Sequence, residues 1–591
     1  LVIFVLHQCA GCCNHHAVVW SNKLPDPPAY ERLQWQTPRC AFKPTPPPPR
    51  CSESQAGIAD YATARELERS QSSQSAAHFL TAAKAAYEVA ISTPPHAPVA
   101  EDSLSLYHAA LARYLSVATG YNLLPQIGSQ GLCLTGGDST PQVDWQGFSP
   151  SSQPILSLVV VGDYSATALK RRYRACGLGV PVVIHQRLAQ APTGQPQSVW
   201  RAATVILAPT DACPSPRSDA SASESVISSE GAGDMATHGG GWKLTFYNPI
   251  RYRTVELAGC THPLASDLTA AWGRGLATSD PPRLIGFLDP NSGVDTGRLE
   301  FTEPYEPGRI PVVFVHGLAS NAQTWIAMLN DLQADDQLMR RYQFWTYSYP
   351  TGRAFLASAA DLRQKLTETV QALEAESGSD PALHQMVLVG HSMGGLLTRL
   401  LVSPSGNQLW QSAACVPLEQ LRLEPETRNV LQQTFFFEPL PFVKRAVFIA
   451  TPHRGSSLAQ CGVGRLASWL VDLGPGADTR REEVVEWNSG KIKPWLQKKI
   501  PTSVDLLEPT HPLLQAIDQL PLSNCVSAHS IIGDGCCTRF VGHPSDGVVP
   551  VSSARLTGVA SELYVDERHQ NVQRSFAASQ EVRRILCEHV A

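Results

Sequence analysis

The C-terminal half of this chain is predicted to fold as an α/β domain with a mainly parallel sheet, and two observations carry that expectation. Six short runs rich in β-branched and aromatic residues recur after about Pro304: VVFVHG from Val312, FWTYSYP from Phe344, MVLVG from Met386, AVFIAT from Ala446, HSIIGD from His529 and ELYVD from Glu562. Amphipathic stretches of helical period, such as Ala357 to Glu376, lie between several of them. Strands that alternate with helices imply a mainly parallel sheet covered on both faces.

At 591 residues the chain is too long for one core, and two to four domains are expected. A hydrophobic content of 43% with 17% charged residues describes a globular protein, and a formal net charge of -5 gives no reason to expect a nucleic-acid partner. No run of about 20 apolar residues occurs, so a spanning helix is not expected. Residues 1–51 read as a signal-like segment and a proline-rich linker, with Pro44 through Pro49 interrupted only by Thr45. Residues 52–145 read as a helical module, in which Leu104, Tyr107, Leu111, Tyr114 and Leu115 share one helical face and Thr93-Pro94-Pro95 breaks this segment from the Ala-rich helix before it. Residues 146–303 carry β-rich runs such as VPVVIHQRL and ATVILAP and read as a β-containing accessory domain. The α/β domain then occupies 304–591, with two long insertions near 403–443 and 457–527.

The stretch VLVGHSMGGLLTR, residues 387–399, runs from a strand pattern through Gly390-His391-Ser392-Met393-Gly394 into a helix pattern. A strand and a helix joined within about two residues need a sharp turn, where small residues relieve crowding and the apical serine is pushed outward beside the free N–H groups of the new helix. Ser392 thus stands in the position of a nucleophile. A neutral serine hydroxyl is a poor nucleophile near neutral pH, so it needs a histidine as base and a carboxylate to fix the tautomer of that histidine. Asp546, in HPSDGVVP, and His569, in DERHQNV, follow the HSIIGD and ELYVD strands and meet the demand in the order nucleophile, acid, histidine.

With these motifs in place, residues from about 305 onward resemble the α/β-hydrolases, closest to the lipase and serine-esterase branch. The matching pieces are PVVFVHGLASNAQTW, VLVGHSMGGLLTR, VFIATPHRGSSLA and SDGVVPVSSA. The resemblance implies an oxyanion hole made by the backbone N–H groups of Leu318 and Met393, and an acyl-enzyme route for ester hydrolysis without cofactor or metal. It leaves open an amidase, a thioesterase or an acyltransferase using the same triad. A binding or scaffold protein with a secondary hydrolase domain is the reading from a different class. The expected partner is a small-molecule or lipid ester.

Several neighbouring residues compete for roles. Asp534 directly ends a strand and is the rival acid; Asp546 is preferred on its motif. His316 falls outside the expected chain order and reads as structural, and His391 reads as packing beside the turn. His453 and Arg454 are expected to stabilise a turn or shape the pocket, while His511 and His543 match no motif. Cys525, Cys536 and Cys537 flank the acid loop, where either a disulfide or free thiols would fit. Phe435, Phe436 and Phe437 cannot all face one side, and Phe436 is assigned to an apolar cap that receives the acyl chain, against the alternative that all three complete the core. The fifteen cysteines are scattered rather than evenly spaced, and the Cys9, Cys12, Cys13, His15, His16 group lacks a second ligand pair at zinc-like spacing.

The opening LVIFVLHQCAGCC resembles the end of a bacterial lipoprotein signal, with Cys12 as the lipidated residue, although Cys9 stands where such signals have leucine. A truncated secretory signal and a buried strand are the alternatives; either signal reading places the protein in the cell envelope, membrane-anchored, periplasmic or secreted. With Cys12 lipidated, protein expressed from its full reading frame should partition with membranes and Cys12→Ser should release it, more than one acyl chain being needed for stable anchoring. Mass spectrometry of the mature terminus checks this directly.

Overall fold

The computed structural model describes residues 18–20, 52–93, 98–121, 141–148, 155–162, 164–166, 169–188, 197–210, 215–216, 241–257, 260–278, 297–456, 482–498, 503–535 and 544–590. Cys12, the proline-rich linker, His543, Cys536 and Cys537 lie outside them. The chain divides into two compact units, one within Ala17–Ala189 and Ser198–Thr278, the other centred on Ser279–Ala591. Among the described residues no helix is long and apolar enough to cross a membrane.

In the first unit, helices α1 (Ser52–Arg69), α2 (Ser75–Ser92) and α3 (Pro98–Gly120) accompany a five-stranded sheet. Its strands are β1 (Gln142–Gln146), β2 (Ile155–Val160), β3 (Val180–Arg187), β4 (Ser198–Pro209) and β5 (Trp242–Tyr247), in spatial order β1-β5-β4-β3-β2. The helical module and the β-containing segment, expected as successive domains, share one core: Phe79, Tyr107, Leu111 and Leu115 pack in the same cluster as Val182, Val205, Leu207 and Phe246. The Tyr107 hydroxyl both donates to the Leu207 carbonyl and accepts from its N–H, at 3.0 and 2.8 Å. A buried phenol needs such partners, and here they fasten α3 to the central strand.

The second unit is built on a seven-stranded sheet: β6 (Arg298–Phe301), β7 (Ile310–Val315), β8 (Tyr342–Ser348), β9 (Met386–His391), β10 (Val443–Ile449), β11 (Ser527–Gly533) and β12 (Ser561–Val565). The spatial order is β6-β8-β7-β9-β10-β11-β12, and only the β6 edge is antiparallel. Strand β6 places the start of the sheet a few residues before 304. The central strands β7 and β9 are buried at every position, as continuous apolar runs in a sheet covered on both faces should be. Its helices include α4 (Ile326–Gln333), α5 (Phe355–Ser377), α6 (Met393–Leu401), α7 (Gln408–Ala413), α8 (Pro425–Phe435), α9 (Pro512–Gln519) and α10 (Phe576–His589). The Tyr342 hydroxyl at the start of β8 donates to the Leu586 carbonyl of α10 at 2.7 Å.

The three phenylalanines fall on the opposite edge from the one a cap would need. Helix α6 starts at the carboxyl edge of the sheet and carries the chain about 13 Å away over its nine residues. Leu440 N–H donates to the Leu401 carbonyl at the far end of α6, and Phe437 N–H donates to Ser405 Oγ just beyond it. The chain must return to that far edge because β10 runs parallel to β9. Phe435 and Phe436 pack on Trp410 at ring separations of 5.4 and 5.8 Å, and the Arg363 guanidinium lies over Phe437 at 3.8 Å. The assignment of Phe436 to acyl binding is therefore corrected: it supports the packing of α7 and α8. Phe436→Ala should lower stability by about 1.5–2.5 kcal/mol, half of a fully buried truncation, and leave discrimination between acetyl and octanoyl esters unchanged in kcat/KM series.

Candidate active site

The turn between β9 and α6 brings the expected nucleophile to the carboxyl edge. Ser392 adopts φ 54° and ψ -125°, a conformation that ordinary side chains avoid. Its own N–H donates to the Ile449 carbonyl at 2.8 Å, continuing the pairing of β9 with β10, while its carbonyl accepts from Gly395 N–H at 2.9 Å. The flanking glycines are required by close approach. A Cβ on Gly390 would lie 2.5 Å from the Gly394 carbonyl, and one on Gly394 would lie 2.2 Å from the Val315 carbonyl of the neighbouring strand. Gly317 is equally constrained, since a Cβ there would lie 2.8 Å from Ser392 Cβ.

Asp546 and His569 meet at this edge. Asp546 sits in a tight turn where its Oδ1 accepts from the N–H groups of Val548 and Val549 at 2.9 and 2.7 Å. Oδ2 is left to face His569 Nδ1 at 2.7 Å. His569 Nε2 lies 2.9 Å from Ser392 Oγ. The backbone repeats the connection, because His569 N–H donates to the Asp546 carbonyl at 2.9 Å. All three side chains are at most 8% exposed as residues. A carboxylate only accepts, so Nδ1 carries the proton and Nε2 presents its lone pair to the hydroxyl. Gly533, at the end of β11, makes room for the acid: a Cβ there would lie 2.8 Å from Asp546 Cβ.

The rival acid is placed elsewhere, with Asp534 N–H donating to the Val565 carbonyl and no bond to His569 among the described residues. Leu318 and Met393 have backbone N–H groups with no acceptor among the described residues. The loop carrying Leu318 is held by Ala319 N–H donating to Thr351 Oγ1 at 3.2 Å. Both groups belong to residues adjoining the Gly317 to Ser392 contact, so they border Ser392. Among the described residues no cluster of three or more His, Cys, Asp or Glu side chains has the arrangement of a metal site.

The remaining candidates form the scaffold. His316 donates from Nδ1 to the Gly317 carbonyl at 3.0 Å, accepts from Tyr349 N–H at Nε2 and stacks on the Tyr349 ring at 4.5 Å. Arg454 ties the turn after β10 to the acid loop: its N–H donates to Ser553 Oγ, and its guanidinium donates to the carbonyls of Ser552 and Arg555. Beside it Ser456 Oγ donates to the Val548 carbonyl at 2.7 Å. His453 Nδ1 accepts from the buried Arg399, whose guanidinium also donates to the carbonyls of Asp518 and Leu520 at the end of α9. His511 caps the start of α9 by accepting from Leu513 N–H, and Cys525 carries a free, exposed thiol. The sequence gives no local sign of the parts played by Gly395 and Arg399, because each is required by a neighbour distant in the chain: a Cβ on Gly395 would collide with Thr451, and Arg399 serves the end of α9.

Burial lowers His316 to about 4, and burial, reinforced by nearby positive charge, holds His391 and His453 well below the usual histidine value. All three are neutral in the folded chain at neutral pH, whereas in the unfolded chain they take up protons near 6.5. Their contribution to stability is complete above that value and is lost as pH falls from 6.5 toward 4. His316 alone should cost about 2 kcal/mol at pH 5, so Tm should fall steeply between pH 7.5 and 5. Thermal melts across that interval check the sign.

Residues 312–522 match the sequence model of the alpha/beta hydrolase family, a span that holds Leu318, Ser392 and Met393 and stops short of Asp546 and His569. No curated protein matches the chain. Among solved structures, the mature lipase BlEst2 of Bacillus licheniformis is 18% identical, with 49% of this chain and 97% of that one covered and a TM-score of 0.30. Lipase 1 of Pelosinus fermentans is 15% identical, with 48% and 98% covered and a TM-score of 0.30. Phospholipase PlaB of Legionella pneumophila is 15% identical, with 42% and 45% covered and a TM-score of 0.25, so the match spans less than half of that protein.

Proposed function

We propose that the α/β-hydrolase domain formed by the C-terminal half of the chain is a serine hydrolase that cleaves carboxylic esters. The observation that supports this reading best is the continuous hydrogen-bonded path from Asp546 Oδ2 through His569 to Ser392 Oγ, with steps of 2.7 and 2.9 Å. Ser392 Oγ attacks the acyl carbonyl while its proton passes to His569 Nε2. The imidazolium that forms is stabilised by Asp546, whose other oxygen is already pinned by two amides. Charge on the carbonyl oxygen is received by the N–H groups of Leu318 and Met393, which typically contributes several kcal/mol because the charge exists only in the transition state. His569 then returns the proton to the leaving alkoxide oxygen, leaving an acyl-serine. Water attacks that ester, giving its proton to the same nitrogen; the bond from the acyl carbon to Ser392 Oγ then breaks as His569 returns the proton to Oγ, and the carboxylic acid departs.

An amidase, a thioesterase or an acyltransferase would use the same groups and differ in leaving group or acceptor, and a scaffold protein would leave the serine inert. A fluorophosphonate probe separates the last case, since it reports an activated serine without assuming a substrate. The wild-type chain should be labelled at Ser392, and Ser392→Ala and His569→Ala should each reduce ester turnover by roughly 10⁴-fold or more. Asp546→Asn should cause a loss of similar order, about 10⁴-fold, with the fold retained, because an amide favours the wrong imidazole tautomer. Asp534→Asn should stay close to wild type. A severe loss in Asp534→Asn with a mild one in Asp546→Asn would transfer the acid role.

A further inference from the structure

His391 precedes the nucleophile and is buried, 5% exposed. Among the described residues its side chain makes one hydrogen bond: Nε2 lies 3.1 Å from the backbone carbonyl oxygen of His569. A carbonyl only accepts, so Nε2 carries the proton and donates. The opposite ring nitrogen, Nδ1, has no partner among the described residues and faces the oxyanion loop, where a Cβ on Gly317 would lie 3.3 Å from it. The rings of His391 and His569 are 5.0 Å apart, and the Trp325 ring meets His391 edge-on at 6.4 Å.

A ring buried against Trp325 and Gly317, with one nitrogen unsatisfied, is an expensive way to fill space, since an apolar side chain would avoid burying two polar atoms. What an apolar residue cannot supply is the donor to His569. That carbonyl matters because of what holds the other side of the same residue. His569 N–H is bonded to the Asp546 carbonyl at 2.9 Å, so the two peptide groups flanking its Cα are fixed by different elements, one by the acid loop and one by the turn that carries Ser392. His569 lies between β12 and α10, outside any helix or strand, and its imidazole must stay within hydrogen-bond reach of Ser392 Oγ through two proton transfers.

Resting on the serine-hydrolase reading above, we infer that His391 is a positioning residue: its Nε2–H holds the His569 backbone to the β9–α6 turn and thereby fixes the distance between His569 Nε2 and Ser392 Oγ. It touches neither substrate nor reacting atoms, so its loss should appear in the chemical step and leave binding alone. Displacements near 1 Å in such groups typically cost about 10²-fold.

The test compares two replacements of similar length, His391→Gln, which retains an N–H donor at the end of the side chain, and His391→Met, which fills the space without one. Steady-state kinetics on p-nitrophenyl butyrate, with the rate of fluorophosphonate labelling as a substrate-independent measure, are read alongside Tm. His391→Met should lower kcat and the labelling rate about 10- to 100-fold with KM within about twofold, and His391→Gln should return both to within about threefold of wild type. Should His391→Met fail to fold, His391→Phe against His391→Gln asks the same question. Wild-type kinetics in the non-donor variant, or equal losses in the donor and non-donor variants, would overturn the positioning role. A wild-type chain that the probe does not label would instead overturn the serine-hydrolase reading beneath it.

Discussion

The close approach of α6 to the end of β7 is the constraint on which the site depends. With no side chain at Gly394, the first turn of α6 presses against the carbonyls of Val315 and His316, and with none at Gly317 the following loop presses back against Ser392. Two segments 75 or more residues apart in the chain are thus locked together at close range. Their neighbouring N–H groups, at Leu318 and Met393, border the same hydroxyl as a consequence. The unusual backbone of Ser392 costs about 1–3 kcal/mol. It is offset by the Ile449 carbonyl on its N–H and by the buried leucines at 396, 397, 400 and 401 that seat α6 on the sheet.

The parts of this architecture that were legible from sequence are those written in local patterns. The strand runs at 312, 344, 386, 446, 529 and 562 all fall in the seven-stranded sheet, and the Ala357 to Glu376 stretch lies within α5. The meeting of Ser392, Asp546 and His569 could be anticipated because their loops share one sheet edge and each carries a motif. Strand β6 was missed because RLEF is short and its place as the antiparallel edge is set by pairing with β8. The face of α3 at Tyr107, Leu111 and Leu115 was legible, but its partner sheet was not, since nothing in a helical stripe says which surface will cover it.

Phe436 shows a different kind of failure. Three aromatic residues in a long insertion suggest an apolar cap, because the insertion leaves the sheet near the edge that carries Ser392. Parallel strands break that inference, because each crossover spends its second half returning to the edge where the next strand must begin. A residue a few positions before β10 is therefore remote from Ser392 however long the insertion is. The histidines fail for a related reason. His316, His391, His453 and His569 are one residue type in similar buried settings, and only the partner of each nitrogen distinguishes the ring that reaches Ser392 from the three that act as braces.

His569 and Ser392 are 177 residues apart in the chain, and the last strand of the sheet, β12, lies between Asp546 and His569. During synthesis the strained turn, the α6 helix and the Gly317 loop can all be assembled while His569 is still unmade. Ser392 has no imidazole partner at that stage, and with the wide gap in sequence comes a late, long-range docking step. The contact between His569 and Ser392 therefore forms last, when β12 and α10 close onto the sheet. An unfinished or C-terminally clipped molecule would carry Ser392 without that contact.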